Sequence, residues 1–160
     1  MAVDYFLKIK GVEGESHDDK HKGEIDVMSW SWGESQSGTF AYGGGGGAGK
    51  VSMQDFSFVM KVNKASPKLL LACATGEHIG EATLTCRKAG KGQQDFMTIK
   101  FNDCLVSSFQ TGGSGGSDFE TDSIALNFSK IQYEYRAQKP DGTLDGPIKA
   151  GYDLKANKQV

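Results

Sequence analysis

Hydrophobic and polar residues alternate along most of the chain. In VDYFLKI, Val3, Tyr5, Leu7 and Ile9 fall on one face, and Asp4, Phe6 and Lys8 on the other. In EIDVMSWSWGE, Met28, Trp30 and Trp32 share a face, opposite Ser29 and Ser31. In DFSFVMKV, Phe56, Phe58, Met60 and Val62 alternate with Ser57, Val59 and Lys61. ATLTCRK places Leu84 and Cys86 on one side, and FMTIKF does the same with Met97, Ile99 and Phe101. Successive side chains of a strand point to opposite sides, so this pattern predicts half-buried strands.

The stretch FETDSIALNFSKIQYEYRAQ carries the alternation through a change of phase. Ile124, Leu126 and Phe128 occupy even positions, whereas Ile131, Tyr133 and Tyr135 occupy odd ones. A switch near Ser129 and Lys130 fits a β-bulge, and it equally fits a strand crossing from one sheet to another. Lys139-Pro140-Asp141-Gly142 then predicts a tight turn before a last strand around Ile148 to Leu154.

One segment departs from period two. ASPKLLLACATGE offers Ser66 as N-cap, Pro67 at the first helical position and Gly76 just past the end. The residues between are apolar on most sides, so this short helix, about residues 66–75, must be covered. It plugs the open end of a β-barrel or packs in an interface. Strand follows strand elsewhere with no β-α-β alternation, which predicts a mainly antiparallel β-protein and excludes a doubly wound sheet.

Length adds one bound. At 160 residues and 17.2 kDa, residues 1–160 are expected to form a single domain with one real core. The net charge of −2 and the scattered lysines imply no nucleic-acid partner and no anionic membrane surface. No apolar run is long enough for a membrane-spanning helix, so no membrane insertion is expected. The start MAVDYFLKIKGVEG reads as a strand, and export by a route without a cleaved signal peptide is expected. Cys73, Cys86 and Cys104 form no C-x-x-C pair and sit among apolar neighbours, as reduced buried thiols do.

Candidate chemistry changes the picture little. YGGGGGAGKVS brings Gly44, Gly49 and Lys50 into register with the phosphate-loop pattern, but Val51 stands where a magnesium-binding hydroxyl is needed. The following VSMQDFSFVMKV reads as a strand, whereas a phosphate loop must open a helix. HDDKH (residues 17–21) holds metal-ligand residue types, yet it reads as a solvated loop between Gly14 and Gly23 with no further ligand in view, His78 included. GGSGG at 112–116 lacks the spacing and setting of a nucleophile elbow, and Asp118 and Glu120 read as exposed strand residues. Trp30 and Trp32, sharing one face of an alternating strand, read as core rather than as a ligand platform. No catalytic, cofactor or metal site is assigned, and the protein is not expected to be an enzyme.

SWSWGESQSG, GGGGGAGKVSMQDFSF, SPKLLLACATGEHI, TLTCRKAGKGQQDF, VSSFQTGGSGGSD and LNFSKIQYEY, in this order and spacing, resemble the Hcp proteins of the bacterial type VI secretion system. The likeness runs over essentially the whole chain. It implies two β-sheets forming a barrel-like sandwich flanked by one helix. It also implies a ring-forming subunit, with six copies around a wide channel. Such rings stack into a tube resembling a phage tail tube, inside a contractile sheath and under a spike, and they carry or protect effectors in the lumen. The tube is assembled in the bacterial cytoplasm and expelled to the medium or a target cell.

The long loop gives this implication a physical rationale. Ser35 to Lys50 spans about 16 residues, well past the two to five of a hairpin connection. Its glycines permit close backbone approach, and an extended segment of this kind can lie against a neighbouring subunit. Head-to-tail ring closure would also cover exposed sheet edges. Residues Thr39 to Gln54 are therefore expected at subunit contacts, with Thr39, Tyr42, Gly43, Gly44, Gly45, Gly46, Gly47, Lys50 and Gln54 as the contact residues. Ser29 and Ser31 are expected to face the channel and its effectors, because a solvated wall needs small polar groups. The rival from another class is a non-assembling β-sandwich binding module.

Overall fold

The computed structural model describes residues 2–38, 50–89 and 92–160. In chain order the strands are β1 (Val3–Ile9), β2 (Ile25–Val27), β3 (Ser29–Ser31), β4 (Glu34–Gln36), β5 (Val51–Met53) and β6 (Phe56–Lys61). Helix α1 (Ser66–Thr75) follows. The rest are β7 (Ile79–Lys88), β8 (Gln94–Gly112), β9 (Thr121–Asn127), β10 (Lys130–Tyr135), β11 (Ile148–Asp153) and β12 (Lys158–Gln159). The fold is mainly β, and the described strand pairs are all antiparallel.

Two sheets share one long strand. The first runs β12-β11-β10-β8-β7-β1-β2, and the second places β3 beside β6, β6 beside β9, and β9 beside β8. The first part of β8, through Cys104, pairs with β7 and β10, and its second part, from Leu105, pairs with β9. The register shifts between Val106 and Ser108, so an irregularity bends the strand as it passes between sheets.

The phase change near Ser129 is the sheet-crossing alternative. Strand β9 belongs to the second sheet and β10 to the first. At the crossover, the Ser129 amide donates to the Asn102 carbonyl at 3.0 Å. Its hydroxyl donates to Asp103 at 2.9 Å. A second crossing lies at Met28, between β2 on the first sheet and β3 on the second. There the buried positions switch from Ile25 and Val27 to the inward Trp30, and Met28 itself is exposed. The expectation that Met28 shares the tryptophans' buried face is therefore corrected: the chain is turning from one sheet to the other.

Between the sheets, Phe56, Phe101 and Phe128 form an aromatic centre, with ring centroids 4.7 Å apart for Phe56–Phe101 and 4.8 Å for Phe101–Phe128. Leu7, Ile25, Phe58, Met60, Leu84, Ile99 and Leu126 fill the space around it, essentially without exposure. Trp30 lies edge-on to Tyr5, and Trp32 tilts against Phe128, so both tryptophans pack toward the core as expected.

Helix α1 ends at Gly76, whose φ of 69° is the left-handed conformation that favours glycine, and whose amide caps the Ala72 carbonyl. Its start differs from expectation. The N-cap is Ala65, and Ser66 is the first helical residue, because the Ser66 hydroxyl is drawn inward to Asp122 at 2.5 Å. Leu69 and Ala72 are buried, but Leu70 and Leu71 are more than half exposed, so the fold covers one face of the helix and not most of it.

Candidate assembly surfaces

The outer face of the second sheet is built from small uncharged side chains. Register puts Ser31, Ser57, Ala125 and Ser108 in one cross-strand row, and Ser29, Val59, Ser123 and Gln110 in the next. Both rows line a shallow depression of about 370 Å³. The opposite face carries Trp30, Phe58, Ile124 and Phe109, which look toward the core. Alternation thus places Ser29 and Ser31 outward for the same reason that it buries the aromatic residues. Ser57 of β6, Ser108 of β8 and Ser123 of β9 extend this surface beyond the two serines that the alternation alone points to. Their register across strands is what makes them one surface, and register is not visible in a linear pattern.

The first sheet has an unfinished face. Rows that begin in the core run outward along the register: Leu84, Ile99, Tyr133 and Ala150 in one, Cys86, Met97, Tyr135 and Ile148 in another. Leu84 and Ile99 are sealed, whereas Tyr133 and Tyr135 are about 40% exposed and Ile148 is 70% exposed. The core-facing side of β10 and β11 therefore continues past the cover that the second sheet supplies.

Beside that face stands an arm. Strands β4 and β5 form a separate two-stranded ribbon with Glu34 opposite Met53, Ser35 opposite Ser52 and Gln36 opposite Val51. A groove of about 920 Å³ separates the ribbon from β10 and β11, with Trp32, Met53, Tyr133 and Tyr152 among its walls. Lys50 lies exposed at the far end of the ribbon, just before Val51, and lines this groove. Gln54 is exposed, and its amide donates to the Gly33 carbonyl at 2.9 Å, closing the ribbon's base. Thr39, Tyr42 and Gly43 to Gly47 lie outside the described residues.

Val51, after the glycine run, begins a strand, so the helix a phosphate loop requires does not follow. Burial pushes the Cys86 and Cys104 thiols up to about 12, leaving them as protonated core groups. No group of three or more metal-ligating side chains occurs among the described residues. Asp118 and Glu120 are exposed, but they lie in the loop before β9 and not within it.

HDDKH departs most from expectation: its charge pattern predicts a solvated loop, but two of its side chains turn inward. His21 is buried and stacks on Phe6, with ring centroids 4.4 Å apart. Its two ring nitrogens approach Glu24 at 3.0 Å and Asp95 at 3.3 Å. Asp18 accepts two hydrogen bonds from Arg87, itself buried beneath the loop. A charged segment folds inward here because β7 presents a buried guanidinium and β1 a buried ring, and these partners lie more than sixty residues away in sequence for Asp18 and Arg87.

Comparison with known proteins agrees with this architecture. Residues 6–135 match the family described as "Type VI secretion system effector, Hcp". The chain is 52% identical over 162 aligned residues to Protein hcp1 of Pseudomonas aeruginosa, covering all of both chains. It is similar to the crystal structure of Hcp1 from Salmonella typhimurium, with 37% identity, a TM-score of 0.82 and full coverage of both chains. It is also similar to a solved "type six secretion system protein", with 32% identity, a TM-score of 0.93, and coverage of 99% of this chain and 100% of the other.

Proposed function

The chain belongs to the Hcp family of type VI secretion system proteins, and on that premise we propose that it is a ring-forming tube subunit. Residues 1–160 act as one domain, six copies close a ring, and rings stack into a tube that is expelled from the cell. The observation that carries this reading is the uncovered apolar face of β10 and β11, with Tyr133, Tyr135 and Ile148 exposed beside the β4–β5 arm. A face of this kind is stable in water when another copy covers it. The arm supplies a second contact, in which Thr39, Tyr42, Gly43 to Gly47, Lys50 and Gln54 meet a neighbouring subunit. The outer serine rows supply a neutral lining, and Ser29 and Ser31 face effectors in the channel. Sheath and spike proteins surround and cap the tube.

Light scattering and negative-stain imaging test the assembly. The unaltered protein gives rings, and Tyr135→Ser combined with Ile148→Ser gives folded monomers. Deleting Gly43 to Gly47 weakens ring assembly or stacking. Rings of normal size and stacking in both variants would overturn the reading. A bulky or charged residue in place of Ser31 is expected to disturb effector binding and leave rings intact; loss of rings would instead put Ser31 in a packed interface.

A further inference from the structure

We propose that the groove bounded by β1, the 17–23 loop and the start of α1 is a docking site for an acidic protein segment. The lysines look scattered in sequence, but the fold gathers six of them. Lys8, Lys10, Lys20, Lys22, Lys64 and Lys68 line one depression of about 1040 Å³. All six are exposed. Among the described residues, only Lys64 has an ion-pair partner, Glu13 at 3.4 Å.

Two of the four carboxylates along the same groove are engaged elsewhere. Glu24 holds His21 at 3.0 Å, and Glu81 holds Lys100 at 3.5 Å. Glu13 pairs with Lys64 inside the groove, and Asp19 is the one lining carboxylate with neither a lysine nor a histidine partner among the described residues. The groove therefore presents an excess of ammonium groups on a chain whose net charge is −2. A concave wall of one sign concentrates the field and attracts an oppositely charged partner.

The HDDKH motif explains how two of these lysines are held. Asp18 and His21 turn inward, one onto Arg87 and the other onto Phe6, so Lys20 and Lys22 are left pointing outward from a fixed loop. Lys8 is placed by the outward phase of β1 opposite Thr83, and the Lys10 amide bonds to the Glu81 carbonyl at 3.0 Å. Lys68 follows from the first turn of α1. The inward residues are anchors and the outward ones are the binding surface.

The kind of partner follows from the side chains. Lysine ammoniums are mobile point charges without the planar fork that fixes a carboxylate or phosphate in one geometry. They read charge density more than shape. A continuous phosphate backbone would run against Glu13, Asp19 and Glu81 along the same groove. A peptide with spaced carboxylates can pass between them. None of the six lysines lines the arm groove or the serine depression, so docking here leaves both assembly surfaces free.

The test uses the intact assembled protein. Fluorescence anisotropy follows a labelled peptide of alternating Glu and Ser, a single-stranded oligonucleotide of equal charge, and sedimentation follows vesicles rich in anionic lipid. The peptide is expected to bind best, and its affinity to fall with added salt. Lys10→Glu, Lys22→Glu and Lys68→Glu together should weaken peptide binding by about tenfold or more. The control reversals Lys139→Glu, Lys149→Glu and Lys158→Glu should leave it within about twofold. Light scattering should show the same assembly state for all variants. Preference for the oligonucleotide or vesicles, equal loss in the control variant, or no peptide binding would overturn the proposal. So would loss of assembly on reversing the groove lysines, which would make the groove a contact between copies.

Discussion

Arg87 grips Asp18 with both ends of its guanidinium: Nη1 donates to Oδ1 at 2.7 Å and Nη2 to Oδ2 at 2.6 Å. The pair ties the 17–23 loop to β7, and Asp4 accepts a weaker bond from the same guanidinium at 3.4 Å. The hydrogen bonds from Arg87 are the chief reason that the Asp18 carboxyl titrates low, at about 2 instead of 3.8. A carboxyl depressed on folding stabilises the fold fully above its unfolded value, and that contribution is lost as pH falls through the folded value. The loss therefore runs from about 3.8 down to about 2. Asp18→Asn should lower stability at neutral pH and flatten this part of the acid profile. Urea midpoints measured across that range check it: the two curves should converge at the acid end, and parallel curves would show that the pair contributes nothing.

The buried Ser66–Asp122 contact leads to a second expectation. Asp122 has no solvent exposure, and its Oδ2 accepts from the Ser66 hydroxyl at 2.5 Å, while Oδ1 has no partner among the described residues. Ser66→Ala removes the one described side-chain donor to this carboxylate, and an unsatisfied buried polar group costs about 1–3 kcal/mol. The loss should appear in equilibrium unfolding. It should also appear as faster amide exchange at the start of α1, because the hydroxyl links the helix to β9.

Phe101 sits between Phe56 and Phe128 and is fully buried on the part of β8 that belongs to the first sheet. Phe101→Ala should destabilise by about 3–5 kcal/mol, through lost burial and the cavity left among rings that cannot all collapse inward. Phe101→Leu keeps more of the volume and should cost less. Chemical denaturation of the pair checks the order. Equal and small losses would mean that the two sheets slide together when the ring is removed.

Much of this fold is legible in linear pattern because each strand's buried side follows period two. Phe56, Phe58 and Met60 are sealed as the alternation requires, and the phase change at Ser129 marks a passage between sheets. The helix end at Gly76 is legible for a local reason, since a left-handed cap needs no distant partner. What local pattern does not carry is pairing between remote segments. Arg87 looks like an outward polar residue of β7 until Asp18 and Phe6 close over it. The serine rows on the outer sheet and the six groove lysines are likewise scattered residues that only register and topology bring together. The interface residues expected at the glycine run depend on contacts with other copies, which no property of one chain displays.

Gly14 marks a tight backbone approach just before the loop that carries Lys20 and Lys22. A Cβ there would meet the Glu24 carbonyl oxygen at 2.5 Å, its carbon at 2.8 Å and the Ile25 Cα at 2.9 Å. All three atoms are backbone, so no side chain can swing aside. The approach is enforced on both sides, because the Gly14 amide donates to the Gly23 carbonyl at 2.8 Å and the Ser16 amide to the Glu24 carbonyl at 3.0 Å. Gly14→Ala must push these segments apart or break those bonds, and overpacking of this kind costs about 1–3 kcal/mol. Gly115→Ala is the matched control, since nothing lies within 4 Å of its added carbon. Thermal unfolding should separate the two variants clearly. The Gly14 variant should also lose His21 stacking on Phe6, read as a changed His21 ring signal in proton NMR, because the same ladder holds His21 in place. An unchanged ring signal with reduced stability would mean that the loop yields at Gly14 without releasing its inward anchors.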